Sequence, residues 1–441
     1  MKRSILSLLF ILSSVCLIAQ TTPPSHAVQP APFGSVLIPY GESVEHAITL
    51  RNIGTEPVQS IHYTISTDGV EGEEQEIYLY DPIEDYNGSA QVNVTFISSE
   101  QERSETRRFT VTRVNGQPNS ASVTSVQGPV ASTTAVAKRR VTMEECTGTG
   151  CGWCPRGLVG MDKLHTRFGD DFIGLALHWF NSSDPMYLNR GNYANLNYPG
   201  APSAMVDRSG NTDPYNNAEN VIAYMLTIPA KVDIELEAHL NTDGTTIDAQ
   251  ATVSSLIDGA DFGIEYVLVA DGLYNSAWKQ ENYYSKDYAS STGLTQKSLP
   301  SDLAFLWNAG ATYSPTFNDV VLSSSYTGYI NRATPLQSLS SAQPAVNSFT
   351  LTIPQTMMRY VNMEQLRVVA LVIDYDGTIT NAAQAPVADS SETKVEDTPN
   401  QQEATTPVEI YDINGCRLNA ARRGINITRT PTGTTRKLLL K

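Results

Sequence analysis

Two cysteines three positions apart, Cys151 and Cys154, stand between a predicted strand and a predicted helix, and this arrangement constrains the fold more than any other feature. The strand is predicted over Val141–Cys146. Four apolar residues at helical spacing follow the pair: Leu158, Met161, Leu164 and Phe168. Gly169 is expected to end the helix, and the near-continuously apolar segment Phe172–Phe180 is typical of a strand covered on both faces. Strand, helix and strand in this order predict a βαβ unit.

The segments on either side of this unit alternate between apolar and polar residues, which predicts β-strands. Residues 30–130 are expected to form a small immunoglobulin-like β-sandwich, because turn sequences separate their alternating runs. The period of two returns over 231–385, where Asp243-Gly244 predicts a hairpin turn, so a second β-sandwich is expected there. A polar and aromatic excursion, about 274–316, interrupts it. The predicted fold is therefore β-rich and multidomain, with an α/β domain over 138–230 inserted between two all-β domains.

The two ends of the chain carry features of exported proteins. Residues 1–19 combine a basic start, Lys2 and Arg3, with fifteen mostly apolar residues, which is typical of a signal peptide. No later stretch approaches the ~20 apolar residues of a spanning helix, so no transmembrane span is expected in the mature protein. Residues 386–407 are acidic and rich in Pro, Thr and Gln, and are expected to be a flexible linker. Residues 408–441 are expected to form a small β-module.

Charge and cysteine content narrow the classes of function. A net charge of −16 argues against a nucleic-acid partner, because nucleic acids attract basic surfaces. One of the five cysteines lies in the predicted signal peptide, and the other four are too few for a disulfide framework. Three of them, Cys146, Cys151 and Cys154, lie within nine positions, which predicts chemistry there. No cofactor is expected beyond a redox-active disulfide between Cys151 and Cys154.

The spacing of the cysteine pair is that of thiol–disulfide exchange. Such a pair on the first turn of a helix brings the two sulfurs within bonding distance, and the helix N-terminus lowers the pKa of the first thiol. Cys151, nearer the exposed end, is expected to attack a substrate disulfide, and Cys154, a turn deeper, to resolve the mixed disulfide. Pro155 suits the opening turn of a helix, and Trp153 is expected to contact the substrate. These residues predict a thioredoxin-like redox centre.

Three further residues are candidates for supporting roles. Glu145 lies six residues before the first cysteine, where thioredoxins have a buried acid; this resemblance implies a carboxylate with a raised pKa that accepts the proton of the second thiol, and a solvated strand glutamate is the alternative. Gly200-Ala201-Pro202-Ser203 resembles the loop that faces the cysteine pair in thioredoxin-like folds, which implies that Pro202 is a cis-proline that presents backbone to the substrate; Pro199 or an ordinary turn is the alternative. His178, at the end of the second strand, is a possible accessory residue, and a structural role is the alternative.

The segment from Glu145 to Gly157, ECTGTGCGWCPRG, resembles the signature of an exported bacterial family, the outer-membrane-protein-twenty-eight family. Later segments look like further landmarks of that family: Ala176-Leu177-His178, Asp184-Pro185 and Pro202–Arg208. The resemblance is specific around 140–210 and implies a thioredoxin-like domain flanked by β-domains in the cell envelope. The sequence departs from the family at Cys146, where an apolar aromatic residue is usual, and at Gly150, where tryptophan is common. The extra thiol of Cys146 is a possible accessory redox group.

The C-terminal segment is similar to the sorting modules of the bacterial type IX export pathway. The similarity rests on Val408–Asp412, the Asn414-Gly415 turn, Gly424–Ile427 and Lys437–Lys441. It implies the export machinery as a partner, and an outer-membrane-associated, cell-surface or periplasmic location in a Gram-negative bacterium. A small β-module that stays with the chain is the alternative.

Three classes of function follow. The favoured one is a thiol–disulfide oxidoreductase or isomerase that acts through Cys151 and Cys154 on protein or peptide disulfides of the envelope or of secreted proteins, together with a redox partner of unknown identity. The second is a non-catalytic surface or adhesion protein with a thioredoxin-like scaffold and a structural disulfide. The third is a metal site, because Cys146-x4-Cys151-x2-Cys154 has the plant-type ferredoxin spacing. Its fourth ligand would have to be the distant Cys416 or His178, so no metal is expected.

Overall fold

A computed structural model describes residues 23–67, 69–326, 333–336 and 339–389, together with four strands between 409 and 440. The predicted signal peptide, most of the predicted linker and Cys416 lie outside the described residues. The chain divides into two compact units, residues 1–390 and 391–441. No helix among the described residues is long and apolar enough to cross a membrane.

The first part of the larger unit is a sandwich of two sheets, with immunoglobulin-like, β-rich character as the alternating sequence predicts. Its strands are β1 Val28–Pro30, β2 Val36–Pro39, β3 Ser43–Asn52, β4 Val58–Thr67, β5 Val70–Glu71, β6 Gln75–Ile83, β7 Ser89–Ile97, β8 Arg103–Val114, β9 Gln117–Pro118 and β10 Ser125–Thr133. One sheet has the order β1-β3-β7, and the other has the order β2-β10-β8-β4-β5, with β6 and β9 attached at β4 and β8. The core between the sheets contains Ile48 and Phe96 from one sheet and Phe109 from the other.

The predicted βαβ unit follows. Its elements are β11 Val141–Thr147, α1 Pro155–Phe168, β12 Phe172–His178, β13 Ser203–Val206, β14 Gly210–Thr212 and α2 Ala218–Met225, with 3-10 turns at Gly169–Asp171 and Arg190–Asn192. Strand β11 pairs in parallel with β12 and antiparallel with β13. The helix begins at Pro155 and ends before Gly169, which has a positive φ of 54° that favours glycine. The predicted helix and its end are therefore confirmed.

The remaining strands of the larger unit complete this sheet and add a second one. They are β15 Val232–Leu240, β16 Thr246–Ser255, β17 Gly263–Ala270, β18 Gln280–Glu281, β19 Thr312–Tyr313, β20 Val320–Ser324, β21 Thr334–Pro335, β22 Ala345–Thr352, β23 Leu366–Ile373, β24 Ile379–Pro386 and β25 Ala388–Asp389. The main sheet has the order β14-β13-β11-β12-β20-β17-β23-β24, and β22-β16-β15-β25 form the second sheet. A large apolar core contains residues of both sheets, such as Ile234 and Val368.

Two predicted boundaries differ from this arrangement. The boundary between 138–230 and 231–385 does not separate two sheets. Strand β12 is buried along its whole length, and the edge that does not pair with β11 pairs with β20 through Ala176 and Val320. The predicted linker 386–407 begins too early, since Pro386 belongs to β24 and residues 388–389 form β25, which pairs with β15.

The excursion predicted at 274–316 lies between β17 and β20. Besides β18 and β19, which pair with each other, it contains only short helical turns: Lys286–Tyr288, α3 Ala289–Thr292, Gln296–Ser298 and Ala304–Asn308. A further 3-10 turn, Met363–Gln365, precedes β23.

The smaller unit contains four antiparallel strands. They are β26 Glu409–Tyr411, β27 Arg417–Leu418, β28 Gly424–Arg429 and β29 Thr435–Leu440, in the order β27-β26-β28-β29. Strands are thus present within 408–441, as the sequence predicts.

Candidate functional site

The side chains of β11 alternate between the two faces of the main sheet, and this alternation assigns the candidate residues to opposite sides. Val141 and Met143 pack in one core cluster with residues of α1. Glu145, two positions further, therefore faces α1 as well. Glu144 and Cys146 face the other side, where Cys146 packs in a different core cluster with Trp179 and Tyr193. The cysteine-bearing helix and Glu145 lie on one face of the sheet, and Cys146 lies on the other.

The cysteine pair is oxidised in this structure. Cys151 and Cys154 form a disulfide with a Cα–Cα separation of 5.3 Å, and Cys154 is the N-cap residue of α1. Only 2% of Cys151 and 0% of Cys154 are exposed. Cys151, which was expected to lie nearer the exposed end of the pair, is itself almost fully buried, because a distant segment of the chain covers the loop that carries it.

The covering segment belongs to the excursion and consists of residues 280–284, which we call the cover segment. Its backbone amides at Glu281 and Tyr283 donate to the carbonyl oxygens of Thr149 and Gly152, each at 2.8 Å. The Gln280 side chain also donates to the carbonyl oxygen of Cys151, at 2.8 Å. A side chain at position 152 would collide with the ring of Tyr283.

Aromatic contacts extend this cover over the residue between the cysteines. Trp153 is 36% exposed, and its ring meets those of Tyr283 and Tyr284 edge to face, with centroid distances of 5.6 Å and 5.2 Å. The indole that was predicted to contact substrate therefore contacts the protein's own tyrosines in this structure.

Glu145 is fully buried beneath the first turn of α1. A Cβ atom added at Gly157 would collide with the Oε1 of Glu145 and would lie 3.4 Å from the Cβ of Pro202, so the carboxyl and Pro202 both lie against that turn. Neither carboxyl oxygen has a hydrogen-bond partner within the described part of the chain. Burial, with the nearby charges of Asp319 and Asp213, raises the pKa of Glu145 to about 8, although Arg156 acts in the opposite direction.

The proline loop has the geometry expected from the sequence. The Ala201–Pro202 peptide bond is cis, and Ser203, the next residue, pairs with Cys146 across the β11–β13 ladder. Pro202, not Pro199, is therefore the cis-proline at the end of the main sheet that carries the cysteine loop.

His178 also lies at this end of the sheet, opposite Thr147 in the β11–β12 ladder. Its Nδ1 lies 3.0 Å from an Asp184 carboxylate oxygen that also accepts from the Thr149 amide, at 2.6 Å. Burial alone would raise the pKa of Asp184, but His178 and the amides of Thr149 and Met186 outweigh burial and lower it. The Nε2 atom of His178 is buried and has no hydrogen-bond partner among the described residues. His178 and Asp184 thus fasten the loop that leads into Cys151.

Cys146 is a buried free thiol that lies apart from the disulfide face. Burial is the main cause that raises its pKa to about 11. Where the structure describes the chain, no group of three or more His, Cys, Asp or Glu side chains is arranged to hold a metal ion. The strand alternation separates Cys146 from the other two cysteines of the ferredoxin-like spacing.

Four contributors to the site were not identified from the sequence: Gly157, Asp184, Gln280 and Tyr283. Asp184 lies in an Asp-Pro pair that the family resemblance singles out, and the two cover residues lie in the predicted aromatic excursion. Nothing in the local sequence indicated that the excursion contacts the cysteine loop. Gly157 is required where the helix passes over the buried carboxyl.

These elements define a β-rich protein of several sheets with immunoglobulin-like character and a buried disulfide at the start of a helix. No protein-family model and no curated protein matches the sequence. Among solved structures, a protein from Agrobacterium tumefaciens is similar over 62% of this chain and 100% of its own, with 11% identity and a TM-score of 0.32. The CARDB domain of a Pyrococcus furiosus protein is similar over 25% of this chain and 96% of its own, with 15% identity and a TM-score of 0.19.

A third similar structure is a domain of the outer membrane lipoprotein Omp28 from Porphyromonas gingivalis. The similarity extends over 36% of this chain and 90% of that domain's chain, with 10% identity and a TM-score of 0.19. All three TM-scores are below 0.5.

Proposed function

We propose that this protein is an exported, thioredoxin-like thiol–disulfide oxidoreductase or isomerase that acts through Cys151 and Cys154 on protein or peptide disulfides. The support comes from a strand, a cysteine-bearing helix, a parallel strand and a proline loop that meet at one end of the main sheet. The envelope location and the use of type IX export machinery are part of the proposal, and they rest on the sequence resemblances alone.

The observation that carries the proposal is the carboxyl of Glu145. It is buried directly beneath the turn that begins at Cys154 and has no hydrogen-bond partner among the residues that the structure describes. Such a group destabilises a fold when it ionises, and a structural disulfide has no use for it. A proton acceptor with a pKa near 8 suits thiol chemistry, because proton transfer is most effective when the pKa of the base lies near the working pH.

In the proposed reaction, the reduced protein begins with the Cys151 thiolate. The thiolate attacks one sulfur of a substrate disulfide, that S–S bond breaks, and the other substrate sulfur leaves as a thiolate. Cys154 then attacks the sulfur of Cys151, which forms the disulfide of this structure and releases the second substrate thiolate. Glu145 accepts the proton of Cys154 and returns it to a departing thiolate. Two electrons pass from the cysteine pair to the substrate, and the reverse sequence oxidises a substrate dithiol.

The second candidate function is a non-catalytic surface or adhesion protein with a structural disulfide. The burial of Cys151 beneath the cover segment favours it, because exchange requires access to a sulfur atom. The exposed aromatic residues of β6, among them Tyr80, are also common on binding surfaces. The two functions predict different reduction potentials for the same disulfide.

The deciding experiment is the redox equilibrium of the mature protein in glutathione buffers of graded potential, with acid quenching and mass spectrometry of the Cys151–Cys154 peptide. A midpoint between about −120 and −270 mV, the range of exchange enzymes, supports the oxidoreductase. A pair that is still oxidised below about −300 mV behaves as a structural disulfide and supports the scaffold.

A trapping experiment then tests the order of attack. With Cys154→Ala, a mixed disulfide with substrate is expected to accumulate on Cys151. The matched variant Cys151→Ala, which keeps the buried thiol alone, is expected to trap nothing. Trapping on Cys154 instead would contradict the assigned roles of the two cysteines.

A further inference from the structure

The backbone of the cysteine loop forms hydrogen bonds with a segment that is distant in the sequence. The carbonyl oxygens of Thr149, Cys151 and Gly152 all accept from the cover segment, two from alternate backbone amides and one from the Gln280 side chain. The segment is extended over β18 and turns at Tyr283 and Tyr284, where the Ser285 amide donates to the carbonyl oxygen of Asn282. The loop therefore contacts the backbone of residues 280–284 through hydrogen bonds of the kind that a separate polypeptide segment would supply.

The side-chain contacts have the same character. The ring of Tyr283 lies against Gly152, which has no side chain, and meets the indole of Trp153. Gly152 and Trp153 thus form a small pocket for an aromatic side chain. The backbone hydrogen bonds of the loop contribute affinity, and the fit of the aromatic ring contributes selectivity.

The rest of the excursion contacts both the cover segment and α1. Tyr284 packs in an apolar cluster with Leu303 and Leu306. The Lys163 ammonium of α1 lies 2.8 Å from an Asp302 carboxylate oxygen. Asp302 also accepts from the Tyr215 hydroxyl at 2.5 Å. The Tyr284 cluster is buried, whereas the ion pair between Lys163 and Asp302 is partly exposed, so water can replace the ion pair.

We propose that residues 148–153 form a docking surface for a polypeptide segment with an aromatic residue, and that the cover segment occupies this surface in the resting protein. The inference deepens the proposed function, on which it rests for the statement that the docked polypeptide carries the substrate disulfide. The cover segment is then an internal competitor of substrate. Displacing it exposes the sulfur of Cys151 and frees the carbonyl groups of the loop together.

The test measures how fast a small phosphine reduces the native disulfide. The phosphine gives two electrons to the disulfide and takes oxygen from water, so the products are a phosphine oxide and two thiols, whatever the potential of the pair. Tyr283→Ala is expected to accelerate reduction roughly tenfold, because each lost aromatic contact contributes about as much as a tenfold change in the opening equilibrium. Tyr86→Ala, at a tyrosine that is 56% exposed between β6 and β7, is the matched control and is expected to leave the rate unchanged.

A second variant acts at the anchor, away from the disulfide. Asp302→Asn removes the ion pair with Lys163 but keeps a side chain of similar size, and it is expected to accelerate reduction in the same direction. Unchanged rates in both Tyr283→Ala and Asp302→Asn would overturn the proposal.

The polypeptide part of the proposal has its own readout. A synthetic peptide of residues 278–286, WKQENYYSK, is added in excess to Tyr283→Ala. The peptide is expected to restore slow reduction, and the same peptide with alanine in place of the tyrosine at position 283 is expected to protect less. Acceleration without any protection by the peptide would show that the segment is only a steric shield and would refute the docking surface. None of these rates depends on the midpoint potential, so a failure here is distinct from a failure of the proposed function.

Discussion

The ionisation of Glu145 gives the sharpest test of the site, through the variant Glu145→Gln. The pKa rises from the ordinary value of 4.5 to about 8, because the carboxyl is buried and lies near other carboxylates. At about 1.4 kcal/mol for each pH unit, ionising it in the folded protein costs on the order of 5 kcal/mol more than in the unfolded chain. The amide of Gln never ionises and so does not incur this cost.

The sign of the pH dependence follows from the raised pKa. Between pH 4.5 and about 8 the folded protein keeps a proton that the unfolded chain has released. The stabilisation from this group is therefore complete below pH 4.5 and is lost as the pH rises through 8. Relative to Glu145→Gln, the wild-type protein is expected to lose on the order of 3 kcal/mol of unfolding free energy between about pH 5 and pH 7.5.

The assay is denaturant unfolding of the disulfide-bonded protein at a series of pH values, for the wild type, Glu145→Gln and the exposed control Glu219→Gln. Infrared difference spectra of the wild type against Glu145→Gln follow the protonated carboxyl directly. A stability difference that is constant with pH, or a carboxylate band from Glu145 at pH 6, would refute the reasoning. The exposed control is expected to give a flat difference.

Three further predictions concern packing, charge and thiol reactivity. Gly157→Ala is expected to lower the unfolding free energy by ~1–3 kcal/mol, because the new methyl group meets a buried carboxyl oxygen; Gly200→Ala, with nothing within 4 Å, is the control, and equal stabilities would contradict the packing. Arg208→Met leaves two buried carboxylates without their cation and is expected to cost ~3–5 kcal/mol, whereas Arg167→Met, at an exposed pair, should cost under about 1 kcal/mol. Native Cys146 is expected to react slowly with iodoacetamide at neutral pH, because burial raises its pKa to about 11; labelling as fast as in denaturant would show that the thiol is accessible.

The local elements of the site could be predicted from the sequence because local chemistry determines them. Pro155 suits only the first turn of a helix, and Gly169 adopts the positive φ that ends it, so both ends of α1 were predictable. Strand β12 was predicted to reach Phe180 but ends at His178. The amides of Trp179 and Phe180 both donate to the carbonyl oxygen of Thr147, which takes them out of the ladder. A run of apolar residues in the sequence does not indicate that two backbone amides will share one carbonyl acceptor.

The position of Cys146 shows a pattern that was present in the sequence but not used. Glu145 and Cys146 are neighbours on a strand, so their side chains must lie on opposite faces of the sheet. The prediction that the Glu145 carboxyl accepts the proton of Cys154 therefore already implied that the Cys146 side chain points away from Cys154. The structure has Glu145 below Gly157 and Cys146 in the core cluster of the other face.

The two main differences from the sequence predictions, a second sandwich that is not separate and a Cys151 that is almost fully buried, have one physical cause. The excursion leaves after β17 and returns at Val320, the first residue of β20, which pairs with Ala176 near the carboxyl end of β12. The carboxyl ends of β11 and β12 are also where the cysteine loop begins. Once β20 joins the sheet of β12, the excursion must therefore emerge beside the disulfide, and Gln280 reaches Cys151 across 129 residues of sequence. Short-range patterns cannot show such a contact. The effect of this contact on the reduction rate nevertheless decides whether the fold keeps the disulfide permanently covered or allows a partner to reach it.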